Sequence, residues 1–267
     1  MLTIITISFN EINSIGNTIE SVLSQDYTDY EYIIKDGGST DGTKEKAESY
    51  RKLFKEKNIK FKLISSRDRG IYDAMNIAVS EAEGEWTAFM NAGDQYFSDH
   101  VFSDIFLRGD IAGADLLFGD TAEEEYGELH YFRKCPELIE KRMPFSHQSV
   151  FAKTALLREF PFDLKWKIGA DYDFLLHVYK EGKKFKDTGV LIAKISKSGV
   201  SSLKLKDTYL ETIAIKKERG VPIPDEKQMK KELISVSMRQ FGMDHFPDFL
   251  KYFIRKIQRS MRGQRRV

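Results

Sequence analysis

The chain has 267 residues, with 42 Lys and Arg against 41 Asp and Glu, a formal net charge of +1. That balance gives no global electrostatic pull towards nucleic acid, so no nucleic-acid partner is expected, and the length suits one α/β domain with a tail. A single cysteine, Cys135, excludes an internal disulfide and a multi-cysteine metal site, and fits a reducing compartment.

No run approaches the ~20 apolar residues of a membrane span. The opening MLTIITISFN is too short and too β-branched for a signal peptide, so a soluble, cytoplasmic protein is expected. Leu2–Ser8 has strand length and no helical period. A helix is expected over Asn13–Gln25, with Asn13 or Ser14 as N-cap. A strand over Glu31–Lys35 follows, then a charged helix over Thr40–Lys57, a strand over Lys60–Ser65, a helix over Asp73–Glu83 and a strand over Trp86–Met90. Strand and helix alternate four times in this half, which predicts a parallel, doubly wound sheet. The second half is less regular. Strands are expected over Asp115–Phe118, Glu128–Arg133, Ser149–Phe151 and Phe185–Ile195, and helices over Lys153–Glu159 and Asp171–Glu181. Beyond residue 202 the pattern is helical and charged, interrupted by Pro222 and Pro224. Residues 248–267 carry seven Lys or Arg and one Asp, interleaved with Phe249, Leu250, Phe253, Ile254 and Ile257.

Five segments carry the candidate chemistry. In KDGGSTDGT (35–43) an apolar strand breaks at Asp36 and two glycines, where a carboxylate can accept from a base or ribose, or merely cap a strand–helix turn. It is neither a dinucleotide fingerprint nor a Walker loop. In TAFMNAGDQ (87–95) a strand ends at Asn91 and Asp94 follows a small-residue turn. A hard cation bridging phosphates needs only one or two such protein oxygens, although a plain polar turn reads the same way. SRDRGIYDAMN (66–76) sets Arg67, Asp68 and Arg69 before a helix start, suited to an anionic or ribosyl ligand or simply a charged loop. KIGADYDFLLH (167–177) sets Asp171 and Asp173 at a helix start, as a candidate base or as caps. RMPFSHQSVF (142–151) brings His147 and Gln148 before a strand. The histidines form no zinc spacing, and no serine-hydrolase elbow is present.

In this order the segments resemble family 2 glycosyltransferases of the GT-A fold, in particular bacterial enzymes of surface-polysaccharide synthesis. The resemblance spans roughly residues 1–202. TISFNE (6–11) is similar to the opening strand and loop, KDGGSTDGT to the Asp-Asp-Gly-Ser-Thr-Asp segment, and DRGIYDAMN (68–76) to the Asp-x-Gly-x-x-x-Ala-x-Asn segment. FMNAGD (89–94) stands at the Asp-x-Asp metal motif, and GADYDF (169–174) at the Glu-Asp pair holding the catalytic base.

The resemblance implies a Rossmann-like, mostly parallel central sheet flanked by helices, with residues 1–98 as the nucleotide-sugar half and 99–202 as the acceptor half; residues 203–267, outside it, read from their pattern as a basic helical extension. It implies an inverting, metal-dependent transfer from a nucleotide-diphosphate sugar to a glycan or lipid-linked acceptor. Asp36, Phe9, Glu11, Arg67, Asp68 and Asn91 would serve the donor. Asp94 would hold Mn²⁺ or Mg²⁺, Asp171 would be the base, and His147, Gln148 and Asp173 would lie on the acceptor or phosphate side. The chain departs from the pattern at Gly37, at Asn91 and Gly93, which leaves metal ligation to Asp94, and at Ala170, which leaves Asp173 as the alternative base. A basic tail suits an anionic membrane surface, hence a peripheral location on the inner face of the cell membrane. A second copy of the chain is a further candidate partner. Two other readings stand beside this one. The first is a non-catalytic nucleotide-sugar binder of the same fold. The second is a sugar-nucleotide nucleotidyltransferase, whose Gly-rich, basic first loop is replaced here by FNEINSIGN.

Overall fold

The computed structural model describes residues 1–125, 127–132, 134–196, 203–247 and 250–252. Its first half is β1 (Leu2–Ser8), α1 (Ile15–Leu23), β2 (Tyr30–Asp36), α2 (Thr43–Ser49), α3 (Arg51–Glu56), β3 (Lys60–Ser65), α4 (Ile71–Ser80) and β4 (Trp86–Phe89). These four strands pair in parallel in the order β3-β2-β1-β4. Every residue of β1 is buried. Leu2 and Ile4 pack in a cluster with Ile15, Ile19 and Val22 of α1, while Ile5 and Ile7 join Tyr72, Met75 and Val79 of α4 on the opposite face. A strand covered on both faces shows no alternation of apolar and polar residues, and its buried Thr3 and Thr6 hydroxyls find partners in Glu31, Tyr32 and Met90 O.

The single helix expected over Thr40–Lys57 is two helices, with Tyr50 between them reaching Glu20 of α1 through its hydroxyl (2.8 Å). It begins at Thr43 rather than Thr40 because the Asp41 carboxylate accepts from Thr43 N (3.0 Å) and from Ile12 N (3.1 Å), holding residues 40–42 as a turn.

The second half contains β5 (Gln95–Tyr96), α5 (Val101–Phe106), β6 (Leu116–Glu125), β7 (Glu128–Phe132), β8 (Val150–Lys153), α6 (Thr154–Glu159), α7 (Ala170–Lys180) and β9 (Phe185–Ser196). It extends the same sheet in the order β4-β8-β6-β9-β5, with β7 paired to β6. Here β8 runs antiparallel to both neighbours, so the parallel winding of the first half becomes mixed. β5 and α5, absent from the sequence reading, are too short for a period to register. β6 runs well past the expected Phe118, because Thr121–Glu124 are held by pairing with β7 and β9 rather than by an apolar pattern.

Helices α8 (Leu205–Glu218) and α9 (Glu226–His245) follow. Ile215 and Val221 belong to the same buried cluster as α4 and α7, so this region is built onto the core. The expected boundary at 202/203 abuts residues 197–202, outside the described residues. Most of the basic tail, 248–249 and 253–267, lies outside them too. No described helix is long and apolar enough to cross a membrane.

Gly84, between α4 and β4, lies against β1. A Cβ there would come 2.5 Å from Leu2 C and 2.6 Å from Thr3 N. Both are backbone atoms of a buried strand and have nowhere to go. Gly84→Ala is expected to cost about 1–3 kcal/mol or more, read as a lower urea midpoint with an unchanged m-value.

Candidate active site

The register aligns Ser8 with Asp36 and Asp36 with Ser65, so β1, β2 and β3 end on one edge. The loops beyond that edge are knitted together. Asn10, in the left-handed region (φ 55°), donates through its backbone N to Ser39 Oγ (2.8 Å) and accepts from Thr40 N at Oδ1 (3.0 Å). Glu11 N donates to Thr43 Oγ1 (2.7 Å), and the Glu11 carboxylate accepts from Ser14 Oγ.

Asp36, expected to face a nucleoside, is fully buried, and its carboxylate is taken up by its own turn. It accepts from Gly38 N and Ser39 N (3.1 Å each), Ser65 Oγ (2.8 Å) and Ser39 Oγ. The group that borders open space is Phe9, 62% exposed. A Cβ at Gly37 would lie 3.1 Å from Phe9 Cδ2 and 3.2 Å from Asp68 Oδ2, so the absence of a side chain there leaves a slot between ring and carboxylate. The larger residue of the resembled pattern would have to displace one of them. Asp68 is held by Lys35, whose ammonium is fully buried and donates to Asp68 Oδ2 (2.7 Å), Ser66 O (2.7 Å) and Asp36 O (2.9 Å). Gly70 N donates to Asp68 Oδ1 (3.1 Å). Arg67 is exposed, its aliphatic stem against Gly38.

A second group lies beyond β4. Thr18 of α1 braces the turn 91–94, accepting from Gly93 N (3.0 Å) and donating to Asp94 O (2.7 Å). The buried Asp94 carboxylate accepts from Gln148 Nε2 (2.7 Å). Beside it, Asn91 Nδ2 lies 3.1 Å from His147 Nε2, and His147 Nδ1 lies 3.3 Å from Asp171 Oδ2. An amide nitrogen only donates, so the network assigns the histidine proton to Nδ1, directed at Asp171. Asp171 Oδ1 in turn accepts from Tyr172 N (2.8 Å) and lies 3.2 Å from the Tyr72 hydroxyl, whose one proton it shares with the nearer Ile168 O. Burial, and then the Asp171 charge, push the Tyr72 phenol well up, so it remains a donor. The turn of residues 147–149 thereby ties the loop after β4 to the start of α7.

Asp173, the alternative base, does not join this cluster. Its buried carboxylate makes a bidentate pair with Arg219 (2.8 and 2.7 Å). Five buried side-chain polar atoms have no hydrogen-bond partner among the described residues, and two of them, Ser8 Oγ and Asn91 Oδ1, belong to residues at or just past the ends of the central strands. Asn91 Oδ1 shares its turn with Asp94, and the pair suits a hard cation that takes its other ligands from phosphate and water. Among the described residues no three or more His, Cys, Asp or Glu are grouped to hold a metal, so the protein itself offers few ligands.

Sequence reasoning missed the groups that hold this site. Lys35 had a signal, a charge inside the apolar strand YIIKD, which calls for a buried counter-charge. Tyr72 and Asn76 had a weaker one, polar residues four apart on a helix face. Asn76 clasps Phe162 with two hydrogen bonds (2.8 and 3.0 Å) and fixes the approach to α7. Glu211 and Arg219 had none. Removing the cation with Lys35→Met strands the Asp68 carboxylate and two carbonyls. An unfolding curve should show a loss approaching about 3–5 kcal/mol, with Asp68→Asn costing less.

Residues 3–159 match the model of the family described as Glycosyl transferase family 2. The PGL/p-HBAD biosynthesis glycosyltransferase of Mycobacterium bovis (strain BCG / Pasteur 1173P2) is 29% identical over 185 residues, covering 67% of this chain and 70% of that protein. Among solved structures, S. aureus TarS 1-349 in complex with UDP-GlcNAc superposes with a TM-score of 0.65 at 18% identity, over 91% of this chain and 72% of that one. The mannosyltransferase PcManGT from Pyrobaculum calidifontis, in complex with GDP-Man and Mn2+, superposes with a TM-score of 0.63 at 16% identity, over 88% and 68%. At such identity these two speak for the fold, which is the GT-A fold. The family match covers more than half of the chain, on a sheet whose strand ends gather Asn91, Asp94, His147 and Asp171, and the chain belongs to glycosyl transferase family 2.

Proposed function

We propose that the chain is an inverting glycosyltransferase, moving a sugar from a nucleotide-diphosphate sugar to a hydroxyl of a glycan or lipid-linked acceptor in bacterial surface-polysaccharide synthesis. The observation that carries this reading is the unbroken contact from Asn91 through His147 to Asp171, which joins a metal-motif turn to a carboxylate at a helix start.

The donor nucleoside is assigned to the slot of Phe9, Gly37, Asp68 and Arg67, with the exposed Phe9 ring as a stacking face. Asp36 and Glu11 then act indirectly, by fixing the loops that border the slot. Ser8 Oγ and Asn91 Oδ1, desolvated and unpaired, gain partners when a polar ligand binds. Asp94 and Asn91 would hold a divalent cation, Mn²⁺ or Mg²⁺, whose charge, when bound, offsets that of the diphosphate.

Asp171 takes the proton from the acceptor hydroxyl as its oxygen attacks the anomeric carbon. The new C–O bond forms as the bond to the diphosphate breaks, the nucleoside diphosphate leaves with the electron pair, and the configuration inverts. Tyr72 and His147 grip the two oxygens of Asp171 and hold it for that transfer. Gln148 holds Asp94 in the same manner. A basic tail over 248–267, near an anionic lipid surface, would bring the enzyme to a lipid-linked acceptor.

The test is a thermal-shift panel of nucleotide sugars with and without Mn²⁺, followed by transfer or hydrolysis assays. Asp171→Asn should keep the donor-induced shift and lose about 10²–10⁴-fold in rate. Asp94→Ala should lose the Mn²⁺-dependent part of the shift. Full rates in both variants would sink the mechanism, and a shift without turnover would favour a binding protein of the same fold. For the tail, deletion of 248–267 should lower co-sedimentation with phosphatidylserine-containing liposomes, and equal sedimentation would count against membrane contact.

A further inference from the structure

Helix α8 lies against the turn that delivers Asp171. The Glu211 carboxylate accepts from three consecutive backbone amides, Lys167 N at Oε1 and Ile168 N and Gly169 N at Oε2, each at 2.9 Å. One turn further along, the fully buried Ile215 rests on Gly169, where a Cβ would come 2.9 Å from Ile215 Cδ1. Just past the helix end, Arg219 makes its bidentate pair with Asp173. Glu211, Ile215 and Arg219 are spaced four apart, so one face of α8 makes all three contacts. From the other side, the Tyr72 hydroxyl of α4 holds Ile168 O and Asp171 Oδ1.

Asp171 therefore stands between two fixed points, the backbone of residues 167–169 and the side chain of Asp173, one held from α8 and the other from its C-cap. We propose that Glu211 and Arg219 are positioning residues for Asp171, and that α8 is a working part of the active site. This inference rests on the reading of Asp171 as the base. The physical reason is geometric. Charge-assisted hydrogen bonds are roughly twice as strong as neutral ones, and a bidentate guanidinium fixes orientation as well as distance. Glu211 fixes where α7 begins, and Arg219 fixes how its first turn is rotated. Together they decide whether the Asp171 carboxylate meets His147 Nδ1 and an incoming hydroxyl at the same time. A displacement of about 1 Å at such a group is worth about 10²-fold in rate. Neither residue approaches the Phe9–Asp68 slot through any contact described above, so donor binding is left alone.

The test uses the full chain with UDP-GlcNAc and GDP-mannose as donor probes, following nucleoside diphosphate release. Glu211→Gln keeps the size of the side chain and loses the charge on the three amides. It should lower kcat by about 10–100-fold with KM for the donor unchanged. It should also speed amide exchange at Lys167, Ile168 and Gly169 while β1 stays protected. Arg219→Lys, which keeps the charge and loses the fork, should retain more activity than Arg219→Ala. In an Asp171→Asn background Glu211→Gln should add no further loss, because both changes remove the same function. If the two losses multiply, or if donor KM rises while kcat holds, Glu211 does not act through Asp171 and the proposal fails. If Asp171→Asn alone turns over at the full rate, the assignment of the base is what falls, and the clamp has nothing to position.

Discussion

The site depends on a matter of register. Three parallel strands stop level with one another, at Ser8, Asp36 and Ser65, and the fourth ends at Phe89, level with Ile5, after which the chain runs on beside β1 to Ala92. Backbone pairing of that kind is set by apolar burial on both faces, and a slip of one residue would exchange the side chains packed on one face for those packed on the other. The chemistry is thus placed by the core. Ile5, Ile7 and Ile33 fix the level at which the polar loops begin, and the loops then bind one another through Asn10, Asp41 and Thr43.

The two halves of the sheet meet by different means. The parallel half ends in loops, and the mixed half reaches back to them through the turn at residues 147–149. His147 and Gln148 are neighbours in sequence, and one contacts Asn91 while the other contacts Asp94. A dipeptide that holds both ends of one turn couples any movement of that turn to α7 through Asp171. A ligand on the β4 side would then be felt at the start of α7 without a change in the sheet.

Much of this was readable beforehand, for physical reasons that also mark where reading stops. The wound first half follows from the β-branched runs and helical spacings, and the polar strand-end segments stand out because small residues surround them. Asp36 and Asp94 look alike in sequence, each a carboxylate after a strand, and so do Asp171 and Asp173 at one helix start. What separates them is the donor each one meets. Ser65 lies 29 residues from Asp36 and Arg219 lies 46 from Asp173, and both arrive only on folding. The long arm of β6 and the two-residue β5 were hidden for a related reason, since pairing with distant strands defines them and local pattern does not.

The burial of Lys35 has a consequence for the conditions under which the site keeps its shape. Its ammonium has no exposure, while the Asp68 carboxylate it holds is 12% exposed. Mobile ions screen charges across water, over about 8 Å at physiological ionic strength, and reach a buried pair poorly. The lip of the slot beside Phe9 is therefore held by an interaction that dissolved salt hardly weakens. A surface arginine such as Arg67 has no such shelter. Raising the ionic strength would weaken the long-range field of Arg67 and leave the geometry around Asp68 intact.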